Sequence, residues 1–437
     1  MRSRFWLSLI AISLLMTGAM AQDVPLTLTE ADAVQLALQR QPMLRAAQAE
    51  AGMAQARANQ AQADAKLQVS GNALATASTM RNVLAAPTMP QALLQTQDRT
   101  SLDVNGMAML PLYTGGRIQS STRAARLTAS ASLQGVTLAR TQIAFAARTR
   151  FAAWQQALAM LIVAQDTVTA QTTNTQVTQQ LFDVGKVPQF DLLRAKAAQA
   201  AAQQQAANAQ ADVTAARAQL AQALGVPVAT IPASPAVEAL PAPPTNTIAT
   251  ALATRPDLLA AQQTINAALA TVDARKGNSK PQIYAVGMVD ALAPADMGKS
   301  AGLTVGVVAG IPLFDGGRRK AEVGEAEQAV AQARANRDAL ELQVRADVAG
   351  ADARVTAARQ NIDTATAQMA AAEEAYTVAQ ARYAGGKGTI VELLDAQRAL
   401  TEARQSPVTA QAQYRGALAT LYQAMGLDVL ASTTPAS

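Results

Sequence analysis

The side chains available for chemistry in this 437-residue chain are few in kind, because it contains no Cys and no His. A thiol nucleophile, a Ser/His relay, an imidazole acid or base and the usual zinc ligand sets are all missing. Carboxylates, Lys, Tyr and hydroxyls remain. The most suggestive grouping is Glu392 with Asp395, just after Gly385-Gly386-Lys387-Gly388. Three residues apart, these carboxylates share one face of a helix. The same stretch, Thr389-Ile390-Val391-Glu392, also reads as a capping box, and acids in a first turn suit the helix dipole. The glycines make no phosphate loop: Lys387 is followed by Gly, and no Gly stands at the required earlier position. Phe145, Phe151 and Trp154 read as helix-packing residues. The chain is not expected to be an enzyme, and no metal or cofactor is expected.

The elements that position these residues occur twice. Leu110-Pro111-Leu112-Tyr113-Thr114-Gly115-Gly116-Arg117 recurs as Ile311-Pro312-Leu313-Phe314-Asp315-Gly316-Gly317-Arg318, an offset of 201 residues. The same 201 separates Gly185 from Gly386 and Leu224-Gly225 from Met425-Gly426. Upstream, Pro42 matches Pro256 at 214, and the 13-residue difference falls between Thr76 and Ser101. A length change of that kind predicts surface loops, at 78–100 in the first repeat and 290–300 in the second.

Inside each repeat the periodicity changes. Residues 30–66 read as helix, with Thr29 and Asp32 in a capping-box-like start. Strands are predicted at 68–77, 101–110, 282–289 and 302–310. In the second of these Leu102, Val104, Gly106, Ala108 and Leu110 share one face, and Asp103, Asn105, Met107 and Met109 the other. Helix resumes after each Gly-Gly-Arg and continues to the Gly185 and Gly386 turns, with Pro188 at the first helical position after the first turn. Residues 118–184 would span about 100 Å and 188–224 about 55 Å, too long for burial in a compact domain. Four strands are too few to close a membrane-spanning barrel, but three chains would supply twelve.

Residues 1–21 read as a secretory signal: Arg2 and Arg4, an apolar stretch from Phe5 to Met16, then Ala19-Met20-Ala21. Its removal lowers the formal net charge from +5 to +3, since it carries two Arg and no acid. No Lys/Arg cluster is interleaved with aromatics, so nucleic acid is not an expected partner. Gln22 occupies the position where a lipidated signal needs Cys, so no lipid anchor is expected. No later apolar run reaches the ~18 residues that a spanning helix needs.

These markers together resemble the TolC-type outer-membrane efflux proteins. They are Leu28-Thr29-Glu30-Ala31 with Pro42, the doubled Pro-Leu-aromatic-x-Gly-Gly-Arg, and the doubled Gly-containing helix tip followed by Asp/Glu and Leu-Leu. The resemblance covers essentially the whole chain after the signal. It implies a mixed, mainly α fold: long antiparallel coiled-coil hairpins and four strands per chain, forming as a trimer a 12-stranded β-barrel on an α-helical barrel. The divisions then read as follows. The signal peptide (1–21) precedes an N-terminal segment and upper helix (22–67), the first β-hairpin with its external loop (68–110) and the first helical hairpin (111–225). A Pro-rich equatorial linker (226–246) leads to the second upper helix (247–281), the second β-hairpin (282–310), the second helical hairpin (311–426) and a C-terminal tail (427–437).

The resemblance further implies a homotrimeric, passive exit channel of a tripartite efflux or type I secretion system. It would sit in outer-membrane lipid, extend through the periplasm, and work with a periplasmic adaptor protein and an inner-membrane pump of RND, ABC or MFS type. Strand-to-helix junctions would lie at Pro111, Gly115, Gly116, Arg117, Pro312, Gly316, Gly317 and Arg318. Helix tips meeting the adaptor would be Gly185, Lys186, Val187, Pro188, Gly385, Gly386, Lys387 and Gly388. Glu392 and Asp395 would form an acidic constriction favouring cations, closed by Asp191 with Tyr383 and by Arg194 with an acid of the second hairpin. Gly388 replaces the family's basic residue, leaving Arg194, Lys387 or Arg382 to serve instead. Aromatic-girdle candidates are Tyr284 in a strand and Tyr113 and Phe314 just past one. The competing reading is a soluble periplasmic coiled-coil protein.

Overall fold

The computed structural model describes residues 27–84, 93–236, 239–294 and 300–427. The expected signal and most of the expected tail lie outside them. The chain is mainly helical and carries one four-stranded antiparallel sheet. In order it forms α1 (Glu30–Arg40), α2 (Pro42–Ala63), β1 (Gln68–Leu84), β2 (Leu93–Tyr113), α3 (Arg117–Asp183) and α4 (Gln189–Leu224). A single 3-10 turn (Val228–Thr230) leads to α5 (Thr247–Thr254), α6 (Pro256–Gly277), β3 (Gln282–Pro294), β4 (Ser300–Gly310), α7 (Arg318–Ala384) and α8 (Ile390–Ala424). The two longest helices, α3 and α7, have 67 residues each.

The Thr29 capping box forms as its sequence predicts, the hydroxyl accepting from the Asp32 amide and the Asp32 carboxylate accepting from Thr29. The single helix expected over 30–66 is instead two. Gln41, which precedes Pro42, is held at φ −66°, ψ 121°, because the proline ring disfavours helical geometry in the residue before it. The second repeat breaks in the same way at Arg255 before Pro256. Both break residues then cap a helix end. The Gln41 amide donates to Ala223 O at 2.8 Å, and the Arg255 guanidinium donates to Ala424 O at 3.0 Å, 201 residues further on.

The core is duplicated at the same offset. In the first half Ile143, Ala147, Trp154, Leu220 and Leu224 pack together, and in the second Val344, Val348, Val355, Leu421 and Met425 occupy the equivalent places. Trp154 and Phe151 meet edge-on, with ring centroids 5.9 Å apart, in keeping with their packing role. Each fully buried large apolar side chain contributes about 1.5–3 kcal/mol to holding the helices side by side. The stretch after α4 runs back along the N-terminus, where the Ala236 amide donates to Leu28 O at 2.9 Å. Further on, the Tyr414 hydroxyl reaches Pro241 O at 2.7 Å.

The loops expected at 78–100 and 290–300 are largely strand. β1 and β2 pair continuously from Gln68↔Met109 to Leu84↔Leu93, and β3 and β4 pair up to Leu292↔Ser300. Residues 78–84 and 93–100 lack a clear apolar alternation, so periodicity alone could not find them. The backbone ladder does not need it.

Candidate functional site

Strand register sorts the sheet into two faces, because paired residues point the same way and successive residues alternate. The order is β1-β2-β3-β4, which leaves β1 and β4 as edges. One face carries Val69, Ala73, Val104, Ala108, Leu110, Ile283, Ala285, Val289, Leu303, Val305, Val307 and Ala309 with interspersed glycines, and is apolar throughout its described side chains. Many of these are exposed; Val305 is 77% accessible and Leu303 73%. The opposite face carries Gln68, Ser70, Asn72, Asn105, Gln282, Asp290 and Thr304 among apolar residues. From Ile283 to Ala291 the apolar band runs about 27 Å along its strand at ~3.4 Å per residue.

Below the sheet both chain directions change through Gly pairs. Gly115 and Gly116 have φ +64° and +87°, and Gly316 and Gly317 have +66° and +90°, a left-handed region that other residues enter at a cost. Arg117 and Arg318 then open α3 and α7. Pro111 lies inside β2, where the register shifts, while Pro312 lies two residues beyond β4. Burial at Asp315 raises its carboxyl pKa, but hydrogen bonds from the Arg319 amide and guanidinium and the Gly317 amide outweigh that and hold it below 3.8. Two aromatic expectations need correcting. Tyr113 belongs to β2 rather than lying past it, and it shares the apolar face with Ile283. Tyr284 sits on the opposite face, donating to Gln282 and accepting from Arg117, so it is not a girdle residue on the apolar side. Phe314 is 91% exposed beyond β4.

The other end of the molecule is formed by the two helix turns. Gly185 and Gly386 reverse the chain at φ +75° and +70°. Pro188 is the residue before α4 rather than its first helical residue, with extended ψ of 159°. Lys186 and Val187 are in the first turn, and Gly385, Lys387 and Gly388 in the second. Gly388 packs so close to the end of α7 that a Cβ there would lie 3.1 Å from the Tyr383 amide.

The acidic pair begins α8. The Thr389 hydroxyl accepts from the Glu392 amide, and the Glu392 carboxylate lies 3.8 Å from Arg382. Asp395 pairs with Arg398 at 3.1 Å. Both acids are more than half exposed, where such pairs contribute about 0–1 kcal/mol. Tyr383 is buried, and its hydroxyl donates to Thr178 at 3.1 Å. Burial pushes its pKa above 10.0; the Thr178 bond opposes this and the charge of Asp191 adds to it. Asp191 therefore lies near Tyr383, while the hydrogen bond goes to Thr178. Arg194 is exposed.

Sequence reading missed two groups of residues. Along α3, Thr167, Gln171, Asn174, Thr175 and Thr178 are buried polar residues at helical spacing. Three of them reach the second hairpin, Thr167 meeting Thr401 at 3.3 Å, Asn174 accepting from Tyr376 at 3.2 Å and Thr178 from Tyr383, while Thr175 donates to Ala195 O of α4 at 3.3 Å. Gln171 Oε1, Asn174 Nδ2 and Gln397 Oε1 are buried there without a protein partner. The other group is Glu30, whose carboxylate lies 3.1 Å from Arg148 of α3 and 3.5 Å from Arg415 of α8. A Thr/Gln/Asn row recurring every three or four residues was a visible signal; a single Glu after a cap was not.

Comparison with known proteins follows this geometry closely. The sequence model of the family described as outer membrane efflux protein matches residues 33–226 and 247–427. The outer membrane efflux protein BepC of Brucella suis biovar 1 (strain 1330) is 31% identical over 234 residues, covering 53% of this chain. The match spans 51% of that relative's length. Among solved structures, a membrane protein from Pseudomonas aeruginosa superposes with a TM-score of 0.79 at 22% identity, over 91% of this chain and 90% of its own. The outer membrane protein VceC of Vibrio cholerae gives 0.76 at 20%, over 91% and 96%. The open-state outer membrane channel MtrE of Neisseria gonorrhoeae gives 0.72 at 22%, over 91% and 88%.

Proposed function

The chain belongs to the outer membrane efflux protein family, and on that premise we propose that three copies close their sheets edge to edge into a 12-stranded barrel standing on a helical tunnel. The observation that carries this reading is the two-faced sheet with both edges open. An exposed sheet face of Val, Leu, Ile and Ala is unfavourable in water and suited to lipid, and an open edge inside a membrane would leave backbone groups unsatisfied. Joining β4 of one copy to β1 of the next removes both problems, and twelve strands fall within the range of spanning barrels. At a tilt of about 40° the apolar band is about 21 Å tall, close to the ~25 Å band of such barrels. Tyr113 and Phe314 then lie at its lower rim.

The assembled protein is a passive exit duct driven by an inner-membrane pump of RND, ABC or MFS type through a periplasmic adaptor. The turns at 184–188 and 385–388 are the adaptor-facing tips. Glu392 and Asp395 from three chains ring the tunnel mouth and favour cations. Asp191, Arg194, Arg382, Lys387 and Tyr383 hold that mouth closed. In this reading Arg382, already beside Glu392, is the basic partner for which Gly388 leaves room. The four junction glycines and Arg117 and Arg318 turn barrel into tunnel.

Single-channel conductance in a planar bilayer tests this, comparing wild type with Glu392→Ala/Asp395→Ala. Discrete cation-selective steps, altered in the variant, are expected. A well-folded protein giving no steps would overturn the channel, and unaltered steps would return the two acids to helix capping.

A further inference from the structure

We propose that Met107, Met109 and Met288 form a thioether site for a soft monovalent cation, Cu(I) or Ag(I), on the polar face of the sheet. Met107 and Met288 are direct partners in the β2–β3 ladder. Cross-strand partners have Cα atoms about 4.5–5.5 Å apart with side chains on the same face. Met109 follows Met107 by two residues and pairs with Val286, so it lies diagonally across from Met288, a separation long side chains bridge. The register therefore sets three flexible thioethers on one face within reach of a common ion between two strands of a single chain. Met107 and Met288 are 37% and 40% exposed, so both residues are open to solvent.

The surroundings favour a cation. The same row across the sheet is completed by Ser70 and Thr304, and the next row is Asn72, Asn105, Asp290 and Gly302. These rows supply neutral oxygens and one carboxylate, and no positive charge. Thioether sulfur is a soft ligand that selects Cu(I) over hard or divalent ions. With no Cys and no His anywhere in the chain, no thiolate or imidazole competes for such an ion. Only the direction of the Met-bearing face, toward the lumen, rests on the channel reading; the site itself lies within one chain.

The test is anaerobic titration of the purified full-length protein with Cu(I) against a chromogenic chelator. About one Cu(I) per chain is expected, with a sulfur-only first shell in X-ray absorption. Met107→Leu/Met288→Leu should weaken binding at least about tenfold, whereas Met43→Leu/Met53→Leu, exposed on α2, should leave it unchanged. Absence of binding in wild type, or equal binding by the Met107/Met288 variant, overturns the site. If that variant does not assemble, Met288→Leu alone is read by the same criterion. Binding without conductance would keep the site and remove the channel; conductance without binding would do the reverse.

Discussion

Replacing Val305 by Arg should be far more damaging than replacing its neighbour Thr304 by Arg. Val305 is the middle apolar residue of β4, with Leu303 and Ala301 on one side and Val307 and Ala309 on the other. Its cross-strand partner is Gly287, which has no side chain to shield it, and Val305 itself is 77% exposed. An arginine on the lipid face at the bilayer midplane costs about 2–4 kcal/mol, whereas lumen substitutions mainly alter selectivity. Three copies in one barrel would multiply the Val305 cost to about 6–12 kcal/mol per assembly. The readout is the fraction of folded, vesicle-inserted protein as urea is raised, with both variants beside wild type. Val305→Arg should shift the midpoint strongly downward and Thr304→Arg should scarcely move it. Equal shifts, or a larger one for Thr304→Arg, would refute the assignment of faces and with it the barrel.

Glu30→Ala removes the carboxylate shared by Arg148 and Arg415, whose side chains are 7% and 11% exposed; a loss of about 3 kcal/mol in chemical denaturation is expected. Gly426→Ala should cost clearly more than Gly386→Ala. Both have φ near +70°, but the new Cβ would lie 2.9 Å from Arg255 Cα in the first case and meet open space in the second; thermal unfolding ranks them. At Asp315 the folded pKa is below the ordinary 3.8, so its stabilising contribution is complete above that value and disappears as pH falls through the lower folded one. Asp315→Asn should therefore narrow the difference between stability at neutral pH and at pH near 3, measured by urea midpoints.

The repeat arithmetic carried most of the fold, because a duplicated chain must duplicate its contacts. Gly225 and Gly426 end equivalent helices, and Gln41 and Arg255 cap equivalent helix ends although their side chains differ. Strand existence was legible at Leu102–Leu110, where one apolar face shows in the alternation. Strand length was not, since a hairpin can continue on backbone hydrogen bonds while its side chains lose pattern. The side of Tyr284 depended on register, which the sequence of one strand does not contain. Tyr383 stood out beside the turn, but its bond to Thr178 joins residues 205 apart, a pairing that only the packing of two hairpins creates.

The buried amides between the hairpins also grade the molecule mechanically. Around Trp154, Leu220 and Leu421 the helices meet through hydrocarbon, and prying them apart there means hydrating apolar surface with nothing in return. Beside the turns Ala195, Tyr383, Ile390, Leu393 and Leu394 form a second apolar clasp with Val177 and Leu181. Between that clasp and the middle lie Thr167, Gln171, Asn174 and Gln397, where Gln171 Oε1, Asn174 Nδ2 and Gln397 Oε1 lack a protein partner and would gain one in water. The long helices are thus clamped at the middle and again beside the turns, with the softer span between, so a pull near Gly386 must first break the apolar clasp around Tyr383 before the ends can spread.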